Sequence, residues 1–407
     1  MATAILGGTL IDGTGRSPLR DSVVLIEAGR VQAVGKKGEV QLPQGTEVLD
    51  ASGKTVMPGI IDTHDHLANH GYDILTRTGL QTVISHTNLL TAKALRETLE
   101  AGITTVRDAA GLDRGFKRAV EEGLIPGPRL LLTLGFISPT GGVGDHTTVS
   151  GLNIHPNPAL PDGVADGPAG VRAKVREMIR SGADAVKTAT SGGVSSARHG
   201  PKDMEYSREE LLALVDEGHA QGKLVMCHAL GGPGLEMAVE CGVDSIEHGG
   251  FLDEFPSAIR TMAQQGIYYV PTFSVYVHHR ESPFEYMRQR ARPMYEHHVR
   301  SLRMALDAGV KVAMGTDAGG WVHGQNMSEL QQFVEAGMKP LDAITASTQT
   351  AAQCIGLGED LGTIESGKWA DILVVDGDPL QDIALLQQKQ RLLLVMKGGE
   401  AYVDRLR

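Results

Sequence analysis

Hydrophobic and polar positions are arranged in two different ways along this 407-residue chain. Over residues 1–57 the apolar runs are short and turn-bounded. Ala4–Ile11, Ser22–Glu27 and Arg30–Val34 read as strands, separated by Asp12-Gly13-Thr14-Gly15 and by Ala28-Gly29, and Glu47–Asp50 and Thr55–Val56 continue the series. Residues 361–407 repeat the pattern, with strands at Ala370–Val375, Leu392–Lys397 and Ala401–Val403 around the Gly398-Gly399 turn. Two strand-rich ends around a different middle predict one small β-sandwich domain built from both termini. Separate terminal caps are the alternative.

Residues 58–360 alternate amphipathic helix and short apolar strand. A first strand at Ile60–Thr63 is followed by helix–strand pairs at Thr91–Ala101 with Thr104–Arg107, Arg114–Glu122 with Arg129–Thr133, and Ala169–Ser181 with Ala185–Lys187. Ser207 with Glu210 forms a capping box for a helix to Gln221, which leads to Leu224–Cys227. Gly234–Cys241 leads to Ser245–Glu247, Ser257–Gln265 to Tyr268–Pro271, and Phe284–Ala308 to Lys311–Met314. Gly102, Gly182 and Gly309 stand where helices should stop. Eight nearly continuous apolar strands with intervening helices favour an α/β fold of the (β/α)8 TIM-barrel type, with a doubly wound open sheet as runner-up. No GxGxxG opens a helix near the start, which leaves a dinucleotide-binding sheet with little support.

Composition narrows the function. With 41% hydrophobic and 21% charged residues the chain buries a large core, which excludes disorder. A net charge of −11 repels phosphate backbones, and aromatics at 4% offer no stacking surface, so no nucleic-acid partner is expected. No apolar run reaches the ~18 residues of a membrane span, so no membrane partner is expected either. Three cysteines without CxxC spacing, and a start lacking a basic segment and a long apolar run, point to a cytoplasmic location.

The 15 histidines carry the chemistry, because several sit at strand ends. Strand 1 ends in His64-Asp65-His66, where two imidazoles two residues apart point to one side of an extended chain. Strand 4 ends in Val186-Lys187-Thr188, and a lysine there enters the barrel mouth. It is either a buried salt-bridge partner or an amine of depressed pKa that takes up CO2 as a carbamate and bridges two metals. His228 ends strand 5, His248 ends strand 6 and Asp317 follows strand 8. Singly, each has a structural explanation as a core histidine or a loop cap. Together, four imidazoles and a carboxylate suit zinc, with manganese or cobalt as alternatives.

This set resembles the amidohydrolase superfamily of metal-dependent hydrolases. The resemblance rests on Pro58-Gly59-Ile60-Ile61-Asp62-Thr63-His64-Asp65-His66, on Lys187, on Ile246-Glu247-His248-Gly249, on Gly315-Thr316-Asp317-Ala318-Gly319, and on the return Leu361–Ile372 into the β domain. Within the superfamily the chain looks most like the imidazolonepropionase-related group that includes metal-dependent Xaa-Pro and Xaa-Arg dipeptidases and some xenobiotic amide hydrolases. The resemblance implies that His64, His66 and Asp317 hold a more buried divalent metal and that His228 and His248 hold a second. It implies that Lys187 bridges them as its carbamate and that Asp317 carries the catalytic proton.

By the same resemblance His146, in the glycine-rich loop Gly141–His146, is catalytic or contacts the substrate carbonyl. His323 touches the leaving group, and Tyr276 meets a substrate carboxylate or else packs. Arg198 binds a substrate carboxylate or is an exposed loop charge, like Lys202. His278, His279, His297 and His298 read as mostly solvated. The expected activity is hydrolysis of an amide bond in a small molecule, a dipeptide or N-acyl amino acid, by a metal-bridging hydroxide. Alternatives are a cyclic amide, lactone, carbamate or urea hydrolase, or a mononuclear deaminase. A homo-oligomer is the assembly the family suggests.

Overall fold

The computed structural model describes residues 2–71, 82–154, 157, 159–196 and 198–406. Ala197, in the loop that carries Arg198, lies outside the described residues. The amino-terminal strands are β1 (Thr3–Leu10), β2 (Leu19–Glu27), β3 (Arg30–Lys36), β4 (Glu47–Asp50) and β5 (Thr55–Pro58). The middle contributes β6 (Ile60–Asp65), β7 (Ile103–Asp108), β8 (Arg129–Leu132), β9 (Phe136–Ile137), β10 (Val186–Ala189), β11 (Val225–Ala229), β12 (Ser245–His248) and β13 (Tyr268–Val270). The chain ends in β14 (Ile372–Val375), β15 (Leu392–Lys397) and β16 (Glu400–Asp404).

Both termini share one eight-stranded sheet in the order β16-β15-β14-β5-β1-β2-β3, with β4 branching off β1. The seam between the two ends of the chain is the antiparallel pair β5–β14, where Ile372 faces Pro58 and Val375 faces Thr55. Ile5, Val24, Val31, Leu49, Val56, Ile372 and Leu394 from these strands bury into one apolar cluster. Alternation along each strand places this face inward.

The middle strands are parallel and form two ladders, β13-β12-β11-β10-β9 and β6-β7-β8. The expected strand at Lys311–Met314 does not form a regular ladder. It is replaced by isolated parallel bridges, Tyr269 to Val312 on one side and Asp65 to Ala318 on the other. Thr63 N–H donates to Met314 O at 2.9 Å, and Thr316 and Asp317 N–H both turn to His64 O, at 3.1 and 2.7 Å. The backbone leaves strand geometry because Asp317 sits at φ +54°, which turns its carboxylate toward the histidines. Across the other gap, Asp184 and Ala185 N–H donate to Leu132 O.

Several connecting helices match the sequence pattern, but the one expected at Thr91–Ala101 begins at Ile84, and the helices Phe273–His279, Ser328–Glu335, Pro340–Ser347 and Gln349–Cys354 are not among those expected. The capping box of Ser207 and Glu210 is formed, and that helix runs Arg208–Ala220. Gly102, Gly182 and Gly309 lie at helix ends with φ of +91°, +106° and +80°. The long helix Glu285–Asp307 continues through Pro293. No helix among the described residues is long and apolar enough to cross a membrane.

Candidate metal centre

The strand interiors of the middle region are polar where a plain barrel would be filled by branched aliphatics. Arg107 of β7 is 1% exposed. Its Nε donates to Thr63 O at 2.7 Å and its Nη2 to Glu247 Oε1 at 2.9 Å. Glu247 in turn lies 2.6 Å from His64 Nδ1 through Oε2 and accepts from the Ser245 hydroxyl. A buried carboxylate is tolerated here because a guanidinium, a hydroxyl and an imidazole satisfy it.

This support fixes the first histidine. With Nδ1 held by Glu247, His64 presents Nε2 to the strand ends, where it is buried with no hydrogen-bond partner. His66, two residues on, anchors Nδ1 on Ala110 O at 3.0 Å and brings Nε2 to 3.2 Å from Asp317 Oδ1. The His64 Nε2 lies 3.7 Å from that same oxygen. One ligand atom from each of His64, His66 and Asp317 falls within 4.8 Å of the others. Burial alone would raise the Asp317 carboxyl, but the hydrogen bond from His66 and the nearby imidazoles hold it below its usual range.

Register places the second pair. Ala189 of β10 pairs with His228 of β11, and Ala229 pairs with His248 of β12. The His228 ring lies 4.5 Å from that of His248, which lies 4.8 Å from His64. His248 has φ +72°, and its Nδ1 is held by Thr272 Oγ1 at 2.8 Å, while His228 Nε2 is 3.1 Å from Gly192 O. Burial pushes His228 down to about 4 and holds His64 and His248 well below the usual histidine range. Imidazoles kept neutral are imidazoles able to donate lone pairs to a cation.

Lys187 is wholly buried, and its Nζ has no hydrogen-bond partner among the described residues. It lies 4.9 Å over the ring of Phe136, its register partner on β9. Burial lowers its pKa to about 8. The salt-bridge explanation therefore lacks a hydrogen-bonded carboxylate. An unpaired buried amine next to unpaired imidazole nitrogen is the donor set that a divalent ion and a carbamate would satisfy.

A cavity of about 540 Å³ opens on this cluster, and His66, His228, His248 and Asp317 line it. A second cavity, of about 700 Å³, is lined by charged residues such as Arg114, Lys117 and Arg180 and holds none of these groups. His146 lies on the wall of the first cavity, as does Arg198. The Arg198 guanidinium, however, donates to Thr147 O and lies 3.9 Å from Asp145. Lys202 pairs with Glu254 at 2.7 Å.

Tyr276 is buried edge-on to His248, with ring centres 5.8 Å apart, and is absent from the cavity wall. His323 is also absent from the wall. Its Nε2 lies 2.8 Å from Asn69 O and its Nδ1 3.8 Å from Asp65 Oδ1. The expectation of four solvated histidines fails for two of them. His279 is 2% exposed, and His298 is fully buried, stacked 4.0 Å from the Phe273 ring.

Several contributing residues carry no role in the sequence pattern. Arg107 and Glu247 are charges inside apolar strands, and Glu247 also stands in the Ile246–Gly249 segment, but neither has a role assigned to it there. Asp62 receives His64 N–H at 3.1 Å, Thr316 Oγ1 at 2.6 Å and Asn326 Nδ2 at 2.8 Å, and so locks strand 1 to the Asp317 turn.

Comparison with known proteins places the chain. It is 31% identical to the ochratoxinase of Aspergillus niger over 98% of its length and 86% of that protein's. It is 26% identical to an imidazolonepropionase of Geobacillus sp. (strain WCH70), over 95% and 91% of the two chains. A crystal structure of a Xaa-Pro dipeptidase with methionine in its active site superposes with a TM-score of 0.89 at 32% identity, covering 99% of this chain and all of that one. That likeness implies a TIM barrel with a small additional domain. The amidohydrolase family matches residues 55–402. The chain belongs to the amidohydrolase family, and it is a hydrolase acting on carbon–nitrogen bonds.

Proposed function

We propose that this member of the amidohydrolase family cleaves an amide bond of a small molecule, a dipeptide or N-acyl amino acid, at a centre of two divalent ions, zinc ahead of manganese or cobalt. The supporting observation is the meeting of four imidazoles, one carboxylate and one buried amine without a described hydrogen-bond partner at the strand ends, with His66, His228, His248 and Asp317 lining one cavity. His64, His66 and Asp317 would hold the first ion, His228 and His248 the second, and Lys187 as its carbamate would join them. We also take the two parallel ladders, with β8 and β9 as two halves of one interrupted strand, and the segment 312–318 as one eight-stranded barrel within residues 58–360. Residues 1–57 and 361–407 then form the second domain.

When bound, the ions supply an activated water nucleophile and polarise the scissile carbonyl. The chain's own residues do the rest. Asp317, turned into the cavity by its positive φ, accepts a proton at its carboxylate and passes it to the leaving nitrogen, which departs poorly as an anion. His146, on the cavity wall, donates to the carbonyl oxygen as charge develops there. Glu247 and Thr272 fix the rings of His64 and His248 so that their free nitrogens need no reorganisation. The amine of Lys187, with its lowered pKa, is in part unprotonated near pH 8 and adds to CO2 with loss of one proton.

The test pairs metal analysis with a substrate panel of dipeptides, N-acyl amino acids, lactones and phenylureas. Two metal equivalents per chain with turnover of N-acyl amino acids or dipeptides supports the proposal. One observation favours a one-ion reading: among the described residues, the single preformed three-ligand group is His64, His66 and Asp317. One equivalent at full activity, with ammonia released from a ring amine, would establish that reading instead.

A further inference from the structure

Two loops form much of the cavity wall. Residues 139–147, after β9, contribute Gly142, Val143 and His146, and residues 190–206, after β10, contribute Gly193, Ser196 and Arg198. Glu205 stands at the base of the second loop, where its N–H donates to Thr190 O at 3.2 Å. Its side chain crosses to the first loop, and Oε1 accepts from Val143 N–H at 2.9 Å. Oε2 is buried and has no hydrogen-bond partner among the described residues. A Cβ on residue 142 would fall 2.8 Å from that oxygen, so the glycine there is what lets the carboxylate approach.

The first loop is also tied within itself and to Ile154 and Asp166: Thr140 donates to Asp166, and Ile154 N–H donates to His146 O at 3.2 Å. Asp145 accepts from Gly141 and Thr147 N–H, each at 2.8 Å, and Ser138 Oγ accepts from Gly144 N–H at 3.0 Å. Apart from Glu205, the described side-chain hydrogen bond across to it from the second loop is that of Arg198 to Thr147 O.

We propose that Glu205 is the positioning residue that docks the His146 loop over the cavity, and that ionisation of its carboxyl weakens this docking. The docking claim stands on the geometry alone; its effect on turnover rests on the amide-hydrolase reading above.

Among the described residues no cation answers the carboxylate. The Arg198 guanidinium is turned to Thr147 O and Asp145, and Lys202 to Glu254. Asp166 is taken up by Thr140, Glu210 by Ser207 and Gly167, and Asp203 by Gly200. The Tyr206 hydroxyl donates to Ala165 O at 2.9 Å. His199 packs on Gly192, and His146 faces the cavity. Burial pushes the Glu205 carboxyl from 4.5 up to about 7.

The sign follows from that elevation. A protonated Glu205 is neutral and buries at little cost, whereas an ionised one prefers water. Docking is therefore favoured at low pH and weakens as pH rises from the solvated pKa toward the docked one. Because the upper limit lies near 7, the docking equilibrium falls about tenfold between pH 6 and pH 8.

Hydrogen exchange on the whole protein, corrected for intrinsic rates, reads this directly in peptides spanning residues 139–147. In the wild type their protection should drop about tenfold from pH 6 to pH 8. Glu205→Gln, whose amide oxygen still accepts from Val143 N–H, should show the same protection at both pH values. Glu205→Ala should lose it at both. Kinetics on an N-acyl amino acid should show KM rising with pH in the wild type and flat in Glu205→Gln. Superimposable pH responses of wild type and Glu205→Gln, or full protection in Glu205→Ala, would overturn the proposal. An exchange pattern as expected with no matching change in KM would overturn its positioning half. If no amide is turned over, exchange still decides docking, so failure of the functional reading is seen separately.

Discussion

His64 Nδ1 lies 2.6 Å from Glu247 Oε2, and both side chains are fully buried. That contact makes the first proposed ligand a consequence of a residue on another strand. Glu247 takes the proton-bearing nitrogen, so Nε2 is left for the centre. The same carboxylate balances Arg107, which is equally buried.

Replacing Glu247 by Ala should therefore do two things. It leaves Arg107 as an uncompensated buried charge, which costs about 3–5 kcal/mol. It also frees the His64 ring, so metal affinity should fall about 10–100-fold. Denaturant unfolding of the metal-free protein and metal titration separate the two effects. A variant as stable as the wild type and binding metal equally well would remove Glu247 from this role.

Lys187→Ala should lower activity by at least about 10²-fold and reduce metal content by one equivalent. Short carboxylates such as acetate should restore part of it, because they can replace the carbamate. Full activity with full metal content in this variant would sink the carbamate assignment.

Asp317→Asn removes the proton acceptor while keeping the shape of the turn. The expectation is a fall in kcat of about 10²–10⁴-fold with an unchanged circular dichroism spectrum. Near-normal kcat would exclude Asp317 as the acid–base group.

Glu329 gives a stability prediction. It is fully buried, and its two carboxylate oxygens accept from Phe273 and Ser274 N–H, each at 2.7 Å. Burial pushes its pKa from 4.5 up to about 8, more than these bonds lower it. A folded-state pKa above the unfolded one means the folded state holds the proton longer. Stability then falls as pH rises from about 4.5 toward about 8. Melting curves of Glu329→Gln should start lower, since an amide N–H would face Ser274 N–H, but should lack that slope. Parallel slopes for the two proteins would refute the assignment.

Much of this was legible in the chain. The capping box at Ser207 and Glu210 was visible because it rests on residues three apart, and the helix-end glycines because left-handed φ is a local demand. The return of the carboxy terminus was visible as a change of period from helix to strand. The His64–His66 pair was visible because alternation in a strand needs no partner.

What the sequence did not reveal depends on residues far apart. Lys311–Met314 reads as a strand like the others, yet the chain there turns at Asp317 because two N–H groups go to His64 O, 252 and 253 positions earlier. His298 reads as one of a polar pair on a charged helix, but packing against Phe273 buries it. Tyr276, on the helix Phe273–His279, and His323 follow the expected strands but do not line the cavity. The sequence by itself determined the residue types and the strand ends that carry them, because local periodicity and turn chemistry decide those. Only the tertiary structure decided which nitrogen each imidazole presents and that Lys187 has no described hydrogen-bond partner. It alone tied the His146 loop to Glu205. Each of those depends on groups from distant parts of the chain meeting in the folded interior.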